Sequence, residues 1–187
     1  MAETMRAALD DGTGQYIVQD VPMPEMFEGS AMIRIRQTGI CGSDLHVTTS
    51  RTEAQTLPSG HEVAGEIVEI PKGDHDLQVG DRVAIEMIGG GRACMSCHFC
   101  SYGQWRHCLN MAVDTGGGFA QYMTRRPAGL FKIPDSMDWT DAALVEPMAV
   151  SVHGFRFGQM EPNSVVGVVG SATIGLSSIA CARAFGA

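Results

Sequence analysis

The segment CMSCHFCSYGQWRHC, residues 94–108, decides how the middle of the chain folds. Its four cysteines, Cys94, Cys97, Cys100 and Cys108, have the spacing C-x2-C-x2-C-x7-C and lie between two runs of three glycines. A long loop of this kind has no hydrophobic core of its own, so something else must tie it down. Four thiolates suit one tetrahedral Zn²⁺ with no open position. The spacing therefore predicts a closed, structural zinc site.

Two other uses of these cysteines are open from the spacing alone. The compact iron–sulfur run of ferredoxins has three residues before its last cysteine and a proline after it. Here seven residues precede Cys108, and Leu109 follows it. Disulfides are the third interpretation. We expect His98 and His107 at the surface, because four thiolates already fill a zinc shell, and Cys181 as a small buried apolar residue.

Composition and charge exclude several classes of protein. The formal net charge of −8 and the absence of any basic cluster larger than Arg125–Arg126 argue against nucleic-acid binding. No apolar run approaches the length of about 18 residues that a membrane span requires. Residues 1–11 lack the layout of a signal peptide. We therefore expect a cytoplasmic protein with no membrane or nucleic-acid partner.

The residues around the cysteine segment indicate a mostly β structure. Residues 1–135 form short apolar runs separated by turn signals, a pattern typical of an all-β barrel or sandwich. In the run 32–36, Ile33 and Ile35 alternate with arginines, which predicts one buried and one exposed face. The runs 63–70 and 82–87 are also rich in β-branched residues.

The pattern changes after Pro134. Residues 142–155 predict a helix that Pro147 should kink, 164–169 a buried parallel strand, and 174–185 an Ala-rich helix. One strand and one helix do not make a doubly wound sheet. We therefore expect a fragment, with one domain over 1–157 and the start of a second over 158–187.

A second set of metal-ligating residues is spread along the chain. Cys41 follows the alternating run 32–36, His61 and Glu62 precede the run 63–70, and Glu146 lies in the predicted helix. Thiolate, imidazole and carboxylate together form a fair ligand set for a catalytic Zn²⁺ that keeps one position open. The alternatives are a hydrogen-bonded core histidine and glutamates in salt bridges or on a helix surface.

Taken together, these motifs resemble the zinc-dependent medium-chain dehydrogenases, whose catalytic domain is a GroES-like β-barrel. The Glu-Pro at 146–147 is most similar to the sorbitol and threonine dehydrogenase side of that family. The resemblance runs along essentially the whole chain. The matching segments are GICGSDLH (39–46), GHEVAGEIVE (60–69), GDRVAI (80–85), the cysteine segment, GGFAQY (117–122) and EPMAVSVH (146–153).

The resemblance implies roles for the metal-ligating residues. Cys41 and His61 correspond to ligands of the catalytic zinc, and Glu62 to a ligand or an exchanging near-ligand. Glu146 corresponds to the remaining ligand or to the residue that holds the metal-bound water. Which of Glu62 and Glu146 is the direct third ligand stays open. A departure from the family lies at Arg125-Arg126-Pro127, where an apolar strand end is common.

The resemblance also implies a proton relay. Asp44 corresponds to a carboxylate that orients the zinc-bound imidazole. Ser43 corresponds to the residue that takes the alcohol proton and can only hand it onward. His46 corresponds to the far end of the relay, and the ordinary pKa of histidine, about 6.5, suits release of the proton to solvent. Without the family match, these three residues would be interpreted as a polar turn after a strand.

The sequence GSATIG, residues 170–175, resembles the start of a dinucleotide-binding turn. Gly170 permits the tight turn and Gly175 the close packing of the helix, and Ile174 lies between them. Ala172 stands where the pattern has its middle glycine. The acidic residue that would distinguish NAD from NADP, about 20 positions on, falls beyond residue 187.

We therefore expect an oxidoreductase that transfers hydride between a secondary alcohol or polyol and NAD(P), with one catalytic and one structural zinc ion per chain. As a fragment, the chain should bind zinc but be catalytically impaired, and we expect the protein to be a homo-oligomer. The substrate stays open. The alternative is a non-enzymatic, zinc-stabilised GroES-like module for binding or assembly.

Overall fold

The computed structural model describes residues 3–50, 53–87 and 89–187. The chain divides into two compact units, residues 1–143 and residues 144–187. The sequence-based prediction placed the domain boundary after residue 157, so the helix that precedes the linker fell in the first domain. In the structure, this helix contacts the last helix of the chain and belongs to the second unit.

The first unit consists mainly of antiparallel sheet. Its strands are β1 (Thr4–Asp10), β2 (Tyr16–Pro22), β3 (Ala31–Gly39), β4 (Glu62–Glu69), β5 (Arg82–Ile85), β6 (Tyr122–Arg125) and β7 (Leu130–Lys132). Strands β1 and β2 form a hairpin, and the other five form a sheet in the order β6-β3-β4-β5-β7. A bridge between Ala7 and Ala120 joins the hairpin to the chain just before β6.

Period-2 alternation places the core on one face of the larger sheet. Ile33 is fully buried, Ile35 is partly buried against the core, and Arg34 and Arg36 are exposed, as the alternation of β3 predicts. The core residues come from all five strands and are Ala31, Ile33, Val63, Ile67, Val83, Ile85, Met123 and Leu130. The sheet therefore fixes the ends of β3 and β4 side by side, with Gly39 paired to Glu62.

The described part of the first unit also contains three α-helices. Helix α1 (Gly42–Ser50) follows β3 directly, α2 (His98–Ser101) lies within the cysteine segment, and α3 (Trp139–Ala142) ends the unit. Helix α1 lies where the sequence suggested a turn, and it therefore orients the side chains that follow Cys41.

The second unit contains α4 (Val145–Phe157) and α5 (Thr173–Ala184). The predicted helix over 142–155 is confirmed in its main part as α4, but it begins later, at Val145, because α3 ends at Ala142. Pro147 is the third residue of α4, where a backbone N–H has no partner within the helix, so the position tolerates proline without a kink. The hydroxyls of Ser151 and Ser177 lie 2.7 Å apart where α4 packs on α5.

The predicted buried strand over 164–169 was wrong as a local structure. The structure assigns no strand there, and the side chains of Val165 and Val169 are fully exposed. A strand needs a hydrogen-bonded neighbour, and no segment within 3–50, 53–87 or 89–187 pairs with these residues. The helix predicted over 174–185 is confirmed as α5. None of the helices in the described ranges is both long and apolar enough to cross a lipid bilayer.

Candidate metal centres

The structure brings the four cysteines of the predicted structural site together. The sulfur atoms of Cys94, Cys97, Cys100 and Cys108 all lie within 4.8 Å of one another. The Cys97–Cys100 and Cys94–Cys100 sulfur distances are 3.5 and 4.0 Å. A tetrahedral Zn²⁺ with Zn–S bonds of about 2.3 Å places its sulfur ligands about 3.8 Å apart. The group therefore has the dimensions of a closed four-thiolate site.

Local hydrogen bonds favour the thiolate form of part of this group. The backbone N–H groups of Cys94 and Asn110 donate to the sulfur of Cys108, at 3.3 and 3.4 Å. Hydrogen bonds from Ser96 lower the pKa of Cys94 to about 5, and those from the backbone of Leu109 and Cys100 lower the pKa of Cys97. These donors offset the excess negative charge that four thiolates would leave around one divalent ion.

The buried member of the group behaves differently. Burial raises the pKa of Cys100 to about 12, so its proton is held until a cation displaces it. All six cysteines are free thiols. His98 and His107 are exposed, as predicted, and Cys181 is buried on α5.

A second group of candidate ligands lies where β3 ends and β4 begins. One ligand atom each of Cys41, His61 and Glu62 lies within 4.8 Å of the other two. Cys41 comes between β3 and α1, His61 precedes β4, and Glu62 is the first residue of β4. We call these three residues the Cys41 group. Antiparallel pairing of β3 with β4 joins residues that are twenty positions apart in the sequence.

Asp44 connects two members of the Cys41 group. It lies on the first turn of α1 and is buried, with 6% of its surface exposed. Its Oδ2 accepts a hydrogen bond from the backbone N–H of Cys41 at 2.9 Å. Its Oδ1 lies 3.6 Å from Nδ1 of His61, slightly beyond hydrogen-bond length. This arrangement leaves Nε2 of His61 as the nitrogen to face a metal.

Glu62 contributes a buried carboxylate. Burial raises its pKa, against a smaller opposite effect of His61. A buried carboxylate of this kind is stabilised by a cation. Gly39, opposite Glu62 in the sheet, leaves the room for it, because a Cβ on Gly39 would overlap Oε2 of Glu62.

Helix α1 separates the three predicted relay residues. Asp44 is buried, whereas Ser43 and His46 are exposed. Residues three apart lie on the same side of a helix, so Ser43 and His46 share the exposed side while Asp44 faces the Cys41 group. His46 also makes interactions with its surroundings. The relay from Ser43 to His46 stays a prediction.

Glu146 lies on the first turn of α4, in the second unit. It is partly buried and has interaction partners of its own. Among the described residues, the Cys41 group contains Glu62 and not Glu146. A metal-ligand role for Glu146 stays a prediction.

The predicted nucleotide turn has part of the expected geometry. Gly170 has a φ of +100°, a conformation that favours glycine. A Cβ on Gly175 would overlap the carbonyl oxygen of Gly170, so this position requires glycine for the helix to pack on the turn. Ala172 is the N-cap residue of α5, and Ile174 lies in its first turn. The backbone N–H groups at this helix end are suited to an anion such as a phosphate.

A cavity of about 430 Å³ lies beside Asp44 and His61 in the first unit. Much of its wall comes from one loop, residues 54–61. We call it the 54–61 cavity. Its other lining residues are Asp44, Met87, Asp114, Gly116, Gly117 and Arg125.

The loop over 54–61 is held by neighbouring segments. The hydroxyls of Tyr16 and Ser59 lie 2.9 Å apart, and the backbone N–H of Gln55 donates to the carbonyl of Asp10 at 2.8 Å. A Cβ on Gly117 would overlap the carbonyl oxygen of Gly60. Sequence reasoning did not identify the contacts that hold this loop, although the triple glycine at 116–118 was a signal of close backbone approach.

Comparisons with known proteins agree with this architecture. Residues 28–135 match the family model of the alcohol dehydrogenase GroES-like domain. Sorbitol dehydrogenase of Bacillus subtilis (strain 168) is 33% identical over 194 residues, which cover 99% of this chain and 54% of the relative. The chain thus spans about half the length of the curated relatives it matches.

Two solved structures have the same fold. Galactitol-1-phosphate dehydrogenase from Escherichia coli superposes with a TM-score of 0.83 at 31% identity, over 98% of this chain and 54% of that one. A protein described as a zinc-binding dehydrogenase from Sinorhizobium meliloti 1021, with NADP bound, gives a TM-score of 0.82 at 28% identity, over 99% and 54% of the two chains. The predicted fold class is confirmed: a mostly β, GroES-like domain followed by the start of a Rossmann domain.

Proposed function

Because the chain belongs to the zinc-dependent medium-chain dehydrogenases with an alcohol dehydrogenase GroES-like domain, we propose that its polypeptide oxidises a secondary alcohol or a polyol with NAD(P). The observation that carries the proposal is the Cys41 group, with Asp44 behind it. Thiolate, imidazole and carboxylate are three of the four positions of a catalytic zinc site, and the fourth is left for substrate or water.

The ligand atoms fit zinc. The ligand atoms lie within 4.8 Å of one another, and bonds of about 2.0 to 2.3 Å to a tetrahedral zinc would place them about 3.3 to 3.8 Å apart. A zinc ion bound here would supply Lewis acidity that lowers the pKa of an alcohol into the neutral range. Cys41, His61 and Glu62 would hold the ion, and the cysteines at 94, 97, 100 and 108 would hold a second, structural one.

The chain's own residues would orient the site and move a proton. Asp44 accepts from the backbone N–H of Cys41 and lies beside Nδ1 of His61, so one carboxylate positions two ligands. The pKa of a serine hydroxyl is too high for Ser43 to act as the final base, so Ser43 would accept the alcohol proton only while it donates its own proton onward. His46, exposed on the same side of α1, would release it to solvent.

We propose that the turn at Gly170 and the first turn of α5 contribute to an NAD(P) site. The positive φ of Gly170 and the tight approach of Gly175 support this assignment. The described residues supply only this one turn and one helix, with no paired strand beneath them. We therefore expect this chain alone to bind zinc and to oxidise alcohols slowly or not at all.

The test combines metal content with turnover. Zinc analysis of the reconstituted chain should give two ions per chain, and a longer version of the protein should reduce NAD⁺ or NADP⁺ with polyols, followed at 340 nm. One ion per chain, held by the four cysteines, together with no turnover by the longer version, would instead support a zinc-stabilised binding module.

A further inference from the structure

Arg125 is a buried cation in the wall of the 54–61 cavity. It is the last residue of β6, and 1% of its surface is exposed. Its guanidinium donates to the carbonyl oxygens of Thr124 and Gly116, both at 2.7 Å, and to the hydroxyl of Thr115 at 3.2 Å. These neutral acceptors fix the position of the guanidinium without neutralising its charge.

No carboxylate forms an ion pair with Arg125 within residues 3–50, 53–87 and 89–187. Its Nε is buried and has no hydrogen-bond partner there. Asp114, the acid with the largest electrostatic effect on the pKa of Arg125, also lines the cavity, and it is paired with Arg92 at 3.0 Å. Glu86 accepts hydrogen bonds from the backbone N–H groups of Gly89 and Gly91. Both acids therefore have partners other than Arg125.

The charge of Arg125 persists at neutral pH. Burial lowers its pKa to about 10, which still leaves the guanidinium protonated. A buried charge without a direct counter-ion is unfavourable. An anion in the adjacent cavity would offset this cost, because the guanidinium itself is buried and its charge is therefore weakly screened by water.

The cavity also offers groups that could contact an anionic, hydroxylated molecule directly. Gln55, Thr56 and Ser59 line it with amide and hydroxyl groups. His61 and Asp44, at its border, connect it to the Cys41 group. A substrate could thus present one hydroxyl to the metal and a second polar group to the loop over 54–61.

We propose that Arg125 makes the 54–61 cavity select substrates that carry an anionic group, a phosphate ester or a carboxylate, in addition to the hydroxyl that is oxidised. The proposal deepens the proposed function and rests on it. Arg125 acts here as a specificity residue through its field, since its own surface is covered, and not as a catalytic residue.

Calorimetric titration of the zinc-loaded chain with inorganic phosphate, and separately with acetate, tests the proposal. Phosphate or acetate should bind the unaltered chain, and the tighter of the two identifies the anionic group. Arg125→Met should weaken that binding about tenfold or more, whereas Arg125→Lys, which keeps the charge, should lose less. Arg34→Met is the matched control, because Arg34 is an exposed arginine of the same sheet, and it should bind as the unaltered chain does.

Phosphate could also bind a metal directly, so the titration is repeated in Cys41→Ser. Binding that persists there and is still lost on Arg125→Met supports the cavity. Equal binding with and without the positive charge at position 125, or binding that disappears with Cys41→Ser, overturns the proposal. If neither anion binds a chain that holds two zinc ions, this inference fails while the proposed function stands. A chain that holds one zinc ion counts against the proposed function instead.

Discussion

The two candidate metal centres are built from the sequence in opposite ways. The four cysteines lie within residues 94–108, on a loop with one short helix. The Cys41 group comes from two segments that only the pairing of β3 with β4 brings together. We therefore expect the first centre to need a metal in order to fold, and the second to need the fold in order to bind a metal. Four changes to the chain test that difference.

The largest effect is expected from Cys97→Ser. Without one of four thiolates the loop loses the ion that replaces a hydrophobic core, so the free energy of unfolding should fall by more than about 4 kcal/mol. Urea unfolding with zinc analysis measures this. Cys181→Ala is the control, because Cys181 lies outside both centres, and it should keep both ions. Unchanged stability of Cys97→Ser would show that the loop does not depend on metal.

Cys41→Ser should have a large effect on metal content and a small one on the fold. The sheet core contains none of the Cys41 group, so its packing survives the change. We expect one zinc ion per chain where the unaltered chain has two, with an unchanged far-UV circular dichroism spectrum. Loss of both ions, or a collapsed spectrum, would mean that the two centres depend on each other.

Gly39→Ala tests whether the fold shapes the second centre. The new Cβ would overlap Oε2 of Glu62, so the carboxylate must move. Displacing a group that tunes a metal site typically lowers affinity about 10- to 100-fold. Competition with a zinc chelator should show this loss for one ion only. Gly42→Ala is the matched control, since a Cβ there meets nothing within 4 Å, and it should bind both ions normally.

The smallest effect is expected from Glu62→Gln in a chain loaded with one equivalent of zinc, held by the four cysteines. Burial raises the pKa of Glu62 above its ordinary value of 4.5. Between that value and the higher folded pKa, the native state holds a proton that the unfolded state has released, so stability falls as pH rises through this window.

Glu62→Gln removes the buried charge and should stabilise the chain that holds one zinc ion by less than about 1 kcal/mol at pH 7. The gain should shrink as the pH is lowered toward 4.5. Urea unfolding midpoints of the two chains over this pH range measure it, with Glu66→Gln, an acid of the same strand paired with exposed Arg36, as the control. Destabilisation by Glu62→Gln at neutral pH would contradict the claim that the buried charge of Glu62 is unfavourable while no cation is bound beside it.

The comparison also explains what the sequence could predict. The spacing of the four cysteines was sufficient to predict that their sulfur atoms lie together, because these residues are close to one another in the sequence. The residue types of Cys41 and His61 suggested a common metal site, but their spacing could not assign the ligands, and their roles came from the family resemblance. Helix α1 was missed because its residues, with Val47 and two threonines, have weak helix propensity. The depth of Arg125 was missed because arginine is normally exposed.

The strand over 164–169 failed for a different reason. Its β-branched residues have a high β propensity, but a segment with this propensity forms a strand only when a neighbouring strand is present to pair with it. The helix that follows needs no such partner for its hydrogen bonds, and α5 formed where it was predicted. Of these two neighbouring segments, the one whose hydrogen bonds are local was therefore the predictable one.

Zinc-edge anomalous diffraction from crystals of the fully metallated chain tests the two-centre account most directly. We expect two anomalous peaks, one surrounded by the sulfurs of residues 94, 97, 100 and 108, and one between Cys41, His61 and Glu62 with a position open to solvent. A single peak in the cysteine loop, with the Cys41 group empty at saturating zinc, would contradict it.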